Sequence, residues 1–407
     1  MASNPNAPAY DIKTQIKINK IQQNKTIFPI EINHHTRAIN MSVFNSSGTM
    51  FATCADDGWL NIYNGLDYTL LNTFKVDSRE SAIKFIAFTK SGDQIIGGSF
   101  EKVFILDVFK FHNEQMVKCA RREDYKIMDL RVSFGDSYIG IVWRYMFGVD
   151  DLPKGMNYND VSIYSMENFQ EVLRPLREKE ILLEEFKKAK KETAENLESD
   201  SKTEHIDHVV DFSKANYQLI STDIEFTKVA FFLDDSQIYV GRHLGSIAKY
   251  DLKSAKTTPV KILKLNSTKI NAIEFSQRFE FLIASCNDSI NLIDPESLEL
   301  FHSVTTRHPV LCGKISSFLY DSKPKFHLIF AGGIAAIDQA TTSVGGNEIF
   351  IYNFAKTKII TKLGGVFGNV NWIDLFKDGS GFIASGGEGV ARVYRFDLSY
   401  YKDKAFE

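Results

Sequence analysis

The residues able to do chemistry are few and scattered. Nine histidines stand at positions 34, 35, 112, 205, 208, 243, 302, 308 and 327. Only His205 and His208, in His205-Ile206-Asp207-His208, lie close enough in the chain to share a metal ion. Zinc needs further ligands on a rigid support, and this pair ends a charged segment, so no metal residues are assigned. Cys54, Cys119, Cys286 and Cys312 form no C-x-x-C pair, which leaves neither a zinc site nor a redox dithiol. Cys54 and Cys286 end apolar strand-like runs and read as small buried residues in a reducing compartment. Gly345-Gly346 and Gly386-Gly387 could offer backbone amides to a phosphate, but no helix follows to add its dipole; tight turns account for both. The motifs G-x-S-x-G, G-x-x-x-x-G-K-[ST] and H-E-x-x-H do not occur. His35, just ahead of Thr36 and an apolar strand, is expected to hydrogen-bond a neighbouring turn. No acids or histidines converge as an enzymatic channel mouth would require. The chain is read as non-catalytic, with no cofactor.

The composition describes the body that carries these residues. The 407 residues are 44% apolar and 24% charged, the balance of a globular protein with a large core. The 32 Phe and 16 Tyr favour strands. A net charge of −3 offers no global attraction to nucleic acid or anionic membrane, and no sequence-specific nucleic-acid binding is expected. The opening MASNPNAPAY lacks the apolar region of a signal peptide, and no run of about 18 apolar residues occurs. The cytoplasm is the expected compartment.

One recurring element sets the architecture. An alternating strand ends in an aromatic or large apolar residue, usually followed by Asp, Asn or Ser. The copies are Tyr63-Asn64, Leu106-Asp107, Tyr164-Ser165, Tyr250-Asp251, Ile293-Asp294, Tyr352-Asn353 and Tyr394-Arg395, which read as degenerate WD dipeptides. Successive markers are 43, 58, 86, 43, 59 and 42 residues apart, and a WD-repeat blade takes about 40–45. The two longer single spacings carry extra residues ahead of the marker strand, at Arg144–Tyr158 and around Ala335–Gly346. The spacing of 86 covers two periods without hiding an eighth blade. Within it, Arg177–Asp200 has no alternation and no turn signals, while Leu182, Phe186, Ala189 and Thr193 share one helical face. Glu184 with Lys188, Lys188 with Glu192 and Lys191 with Glu195 pair at i,i+4. Its six basic and eight acidic side chains read as a solvated helix.

The predicted fold is therefore all-β, a seven-bladed WD-repeat β-propeller over residues 26–398 with a helical insertion after blade 3. That insertion belongs to a charged segment over 168–214. Residues 1–25, with Lys13, Lys17, Lys20 and Lys25, form a polar extension, and 399–407 a tail. A propeller that does not close leaves an unpaired sheet edge. Thr26–Ile32 (TIFPIEI) reads as the strand completing blade 7, and Pro29, with no N–H to donate, suits an outermost position. Trp59, Trp143 and Trp372 lie in or next to predicted strands and are expected to pack in the core.

Several stretches resemble one family. Gly364–Asp397 (GGVFGNVNWIDLFKDGSGFIASGGEGVARVYRFD), followed by Tyr400-Tyr401, resembles the final repeat of the i subunit of eukaryotic translation initiation factor 3. That repeat opens on a G-H-F-G turn and carries an S-G-G-E-D-G turn near its end. Ala331–Gly346 is similar to the family's Gly- and Thr-rich loop in blade 6, Ser297–Val310 to its connection from blade 5 to blade 6, and Thr26–Ile39 to its opening strand and first His turn. Val366 stands where the family has His, the Asp after Glu388 is missing, and the insertion and the leader have no counterpart. The resemblance implies a scaffold that docks the b and g subunits of the factor in an assembly on the small ribosomal subunit, raising their effective concentration. It also implies a contact: a helix of the b subunit crosses the second half of the ring near an acidic turn, here Asp288 in Ser285-Cys286-Asn287-Asp288. The alternative is a WD-repeat adaptor or substrate receptor of a signalling or ubiquitin-ligase complex, which would present a basic or phosphate-reading top face.

Overall fold

Among the described residues, alternating apolar runs, punctuated by Gly, Asp and Asn turns, form 28 strands in seven four-stranded antiparallel sheets. The computed structural model describes residues 27–396 except 77–81, 101, 110–117, 123, 148–150, 154–155, 171–214, 222–224, 255, 266, 268, 277–279, 321–322, 335–346 and 354–355. Strand β1 (Ile27–Ile32) comes first. Blade 1 is then β2 (Ile39–Phe44), β3 (Met50–Ala55), β4 (Trp59–Asn64) and β5 (Leu70–Lys75); blade 2 is β6 (Ile83–Phe88), β7 (Gln94–Ser99), β8 (Lys102–Asp107) and β9 (Lys118–Arg121). Blade 3 is β10 (Tyr125–Val132), β11 (Tyr138–Tyr145), β12 (Asn159–Ser165) and β13 (Tyr217–Ser221); blade 4 is β14 (Phe226–Phe231), β15 (Gln237–Arg242), β16 (Ser246–Asp251) and β17 (Lys261–Lys264). Blade 5 is β18 (Ile270–Ser276), β19 (Phe281–Cys286), β20 (Ser289–Asp294) and β21 (Glu299–Thr305); blade 6 is β22 (Val310–Tyr320), β23 (Lys323–Gly332), β24 (Ile349–Asn353) and β25 (Lys358–Leu363). Blade 7 joins β26 (Val370–Leu375), β27 (Gly381–Gly386) and β28 (Ala391–Phe396) to β1.

Every marker dipeptide falls on the third strand of its blade. In blade 7 that strand, β28, pairs antiparallel with β1, from Ile27 opposite Phe396 to Ile32 opposite Ala391, so the first and last described strands share one sheet. Central strands are covered on both faces, because blades stack face to face. Leu60, Ile62 and Phe74 of blade 1, for example, pack with Ile86, Ile95 and Phe104 of blade 2. Such burial, at about 25 cal/mol per Å2 of apolar surface, is the main favourable term.

Two expectations need correction. The charged segment does not follow blade 3; it interrupts it, between β12 and β13. The helical insertion is not supported. Of that region, residues 166–170 make a single helical turn, and Arg177–Asp200 lies outside the described residues. Ser165 Oγ accepts the Asn168 N–H at 3.2 Å, an N-cap, and Phe169 drops into the blade 3 core beside Tyr164. Asn216 Oδ1, where the chain returns, accepts the Ser165 N–H at 2.7 Å. Trp59 is the second correction. Trp143 and Trp372 are buried, but Trp59 opens β4 at the surface, 36% exposed, with the Lys75 ammonium 5.5 Å from its ring centroid.

The seven innermost strands share one irregularity. In each, the second residue of the strand's apolar hexamer bulges out of the ladder: Asn40, Lys84, Met128, Thr227, Asn271, Leu311 and Asn371. All seven line one mouth of the central channel. Three of them latch blades together. Asn40, Asn271 and Asn371 donate through Nδ2 to the carbonyls of Ile83, Val310 and Ile39, each the first residue of the next blade, at 2.8, 2.9 and 2.8 Å.

Candidate functional site

His35 is structural. It lies in the loop between β1 and β2, with Nδ1 3.1 Å from Asp57 Oδ2 and Nε2 2.7 Å from Thr53 Oγ1. Asp57 also accepts the Thr36 and Trp59 amides at 2.9 and 3.0 Å. Burial lowers the imidazole pKa against the opposing pull of Asp57. Cys54, Cys286 and Cys312 are buried thiols; burial pushes Cys286 up to about 11 and raises the other two further. His205 and His208 lie outside the described residues.

The sequence shows no converging set of acids or histidines for a channel mouth; in the structure two acids and two cations meet in the channel. Glu274 on β18 is ion-paired to Arg131 of β10 at 2.9 Å and to Lys314 of β22 at 2.7 Å. Lys314 is 3.9 Å from Asp374 of β26, whose Oδ2 accepts the Phe44 N–H of blade 1 at 2.8 Å. Arg131 and Lys314 lie 4.8 and 5.1 Å from the Trp372 ring centroid. Burial would raise the Glu274 carboxyl, but Arg131 and Lys314 outweigh it and hold it below the ordinary value. Asp374 goes the other way, raised by burial in spite of Lys314. These carboxylates are spent on cations and an amide from other blades, an arrangement that braces the ring. A signal for the network was present in the sequence. Aligned by blade, the fifth residue of each inner hexamer reads Val43, Ala87, Arg131, Ala230, Glu274, Lys314 and Asp374, charged in blades 3, 5, 6 and 7.

The surface offers a different kind of site. A groove of about 810 Å3 lies by blade 6, between the Thr305–Val310 connection, Gly332-Gly333 and the rim strand residues Ile359 and Lys362. Asp288, in the turn between β19 and β20, adjoins its wall: the Asp288 carbonyl accepts the Thr306 N–H at 2.8 Å, and Thr306 lines the groove. The Asp288 side chain is half-buried and meets the Ser289 hydroxyl at 3.1 Å. It forms no ion pair among the described residues, unlike Asp57 at the corresponding turn of blade 1, which has captured His35. Around this part of the rim the outer strands, and Val260 just before β17, leave apolar side chains in solvent: Val260 and Ile262 at blade 4, Leu300 and Phe301 at blade 5, Ile359 at blade 6. Phe301 is 60% exposed although it stands on a strand. The Ala335–Gly346 loop lies outside the described residues.

Comparison with known proteins agrees with the WD-repeat fold. The model of the WD domain, G-beta repeat, matches residues 27–64, that is, the outer strand of blade 7 and the first three strands of blade 1. Eukaryotic translation initiation factor 3 subunit I of Bombyx mori is 27% identical over 183 residues, 44% of this chain and 53% of that protein. The Xenopus tropicalis protein of the same name is 30% identical over 173 residues, 42% and 50% of the two chains. The Rattus norvegicus protein is 29% identical over 168 residues, 40% and 49%. Over 40–44% of its length the chain is similar to these initiation factor 3 subunit I proteins. It spans about half the length of the curated relatives it matches. Among the described residues no helix is long and apolar enough to cross a membrane.

Proposed function

We propose that this chain is a non-catalytic scaffold subunit of eukaryotic translation initiation factor 3, acting in the cytoplasm in translation initiation. It holds the b and g subunits of that factor on the small ribosomal subunit. The observation that carries the reading is the groove beside blades 5 and 6, with a carboxylate at its wall that forms no ion pair among the described residues and exposed apolar residues on the adjoining rim, in a chain similar to subunit I. Its mixed lining suits an amphipathic helix, apolar face inward, with Asp288 meeting a Lys or Arg of the b subunit. A rigid disc needs no chemistry for this role, because holding two partners together raises their effective concentration.

The test is paired. Tagged protein from cells should co-purify with other initiation factor 3 subunits and small ribosomal subunits. Asp288→Lys should weaken capture of the b subunit by about 2–5 kcal/mol, by opposing like charges in the interface, and change folding stability by no more than about 0.5 kcal/mol. Unchanged capture would remove Asp288 from the interface. Absence of every initiation factor subunit from the purified material would overturn the function.

A further inference from the structure

The channel mouth ringed by the bulges is electrically unbalanced. It encloses about 500 Å3, and Met41, Arg131 and Trp372 separate it from the opposite mouth. Lys84, Arg131, Arg144, Lys228 and Lys269 line it, against the carboxylates of Asp129 and Glu225. Most of these charges are matched. Lys84 pairs with Asp56 at 2.5 Å, Arg144 pairs with Glu225, and Arg131 is shared by Asp129 and Glu274. Asp129 Oδ2 also accepts the Val229 N–H at 3.0 Å.

Lys228 and Lys269 remain. Neither forms an ion pair among the described residues. The Lys228 ammonium reaches the Met128 carbonyl at 3.4 Å and lies 5.6 Å from the Phe85 ring centroid. Burial pulls its pKa below the ordinary lysine value, Asp129 opposes this, and Lys269 adds to the lowering by repulsion. Beside it, the Thr227 hydroxyl is buried with no hydrogen-bond partner. Thr227 occupies the bulge position at which Asn40, Asn271 and Asn371 latch onto the next blade, and its side chain is too short to do the same. An unpartnered buried hydroxyl is costly, and so is a desolvated cation, Lys228, repelled by a second one at the mouth.

One ligand satisfies all three groups. A phosphate dianion accepts hydrogen bonds from a hydroxyl and from two ammonium groups, and its charge offsets theirs. The recessed, partly apolar walls focus the positive potential on it. We propose that Thr227, Lys228 and Lys269 form an anion site at the channel mouth that takes a phosphate group, free or as the monoester of a small molecule.

The experiment is calorimetric titration of the full chain with inorganic phosphate and, separately, AMP, at constant ionic strength. Both should bind with one site per chain. AMP binding more tightly than phosphate assigns a phosphorylated small molecule; equal affinities assign the free ion. Lys228→Met and Lys269→Ala should each weaken binding by about tenfold or more, the loss expected for a charge-assisted hydrogen bond. Thr227→Val should weaken it several-fold, and Thr227→Ser should restore it. In phosphate-free buffer Lys228→Met should melt no lower than the parent, because it removes a desolvated charge; should it not fold, the exposed Lys269 decides. No binding of either anion, or affinities unchanged in the lysine variants, overturns the site.

Discussion

His35 joins three parts of blade 1: its own loop, Thr53 of β3 and the Asp57 turn. Its folded pKa lies below the ordinary 6.5, so the unfolded chain binds the extra proton more readily. Stability from this group is therefore complete above about pH 6.5 and is lost as pH falls below it. His34 beside it is also lowered by burial and adds in the same direction. Between about pH 7 and about pH 5 the parent's melting temperature should fall more steeply than that of His35→Gln. At neutral pH the variant should be less stable by about 1–3 kcal/mol, the cost of unpartnering buried polar groups. Parallel pH profiles would show that His35 is not linked to folding. This role was legible in the sequence because His35 and its partners lie within one repeat. Trp59 was misread at the same scale, since alternation alone does not say that the first residue of β4 faces solvent.

Strand β1 is the element with the longest reach. It supplies the outer edge of blade 7, and Glu31 pairs with Arg392 across the β1–β28 contact at 3.0 Å. Deleting residues 1–24 leaves β1 whole and should barely move the melting temperature. Deletion through Asn33 removes the strand, exposes the β28 ladder and takes from Arg392 one of its two carboxylate partners, leaving Glu388. The melting temperature should then drop by on the order of 10 °C, the response to a loss of several kcal/mol. Equal melting temperatures for the two truncations would show that β1 does not hold the ring closed. The interruption of blade 3 was legible only as a break in the period. Its placement between β12 and β13, and the stitch from Ser165 to Asn216, come from pairing that the local pattern does not carry.

Across the whole molecule, the Arg131–Glu274–Lys314–Asp374 network ties blades 3, 5, 6 and 7 together around Trp372. Glu274→Ala leaves two buried cations facing each other and should cost about 3–5 kcal/mol in denaturant unfolding. The double variant Glu274→Ala/Lys314→Ala should recover part of that loss, because the sites are coupled. The exposed rim pair Lys261–Glu299, at 3.6 Å, is the control: breaking it should cost no more than about 1 kcal/mol. Equal effects at the two places would mean that the channel network does not brace the ring.

The sequence by itself determined the blade. Its four strands, their turns and the marker on the third strand lie within one period, so alternation and turn chemistry specify them locally, and seven periods specify seven blades. Tertiary structure alone decided what faces what across the channel. Alternation says that Arg131, Glu274, Lys314 and Asp374 share one side of their strands. Only closure of the ring brings strands from four blades to one axis, where those charges meet. The same closure seats β1 on β28, collects the seven bulges at one mouth and places there Lys228 and Lys269, which form no ion pair among the described residues, because charge balance at a junction of blades depends on residues far apart in the chain.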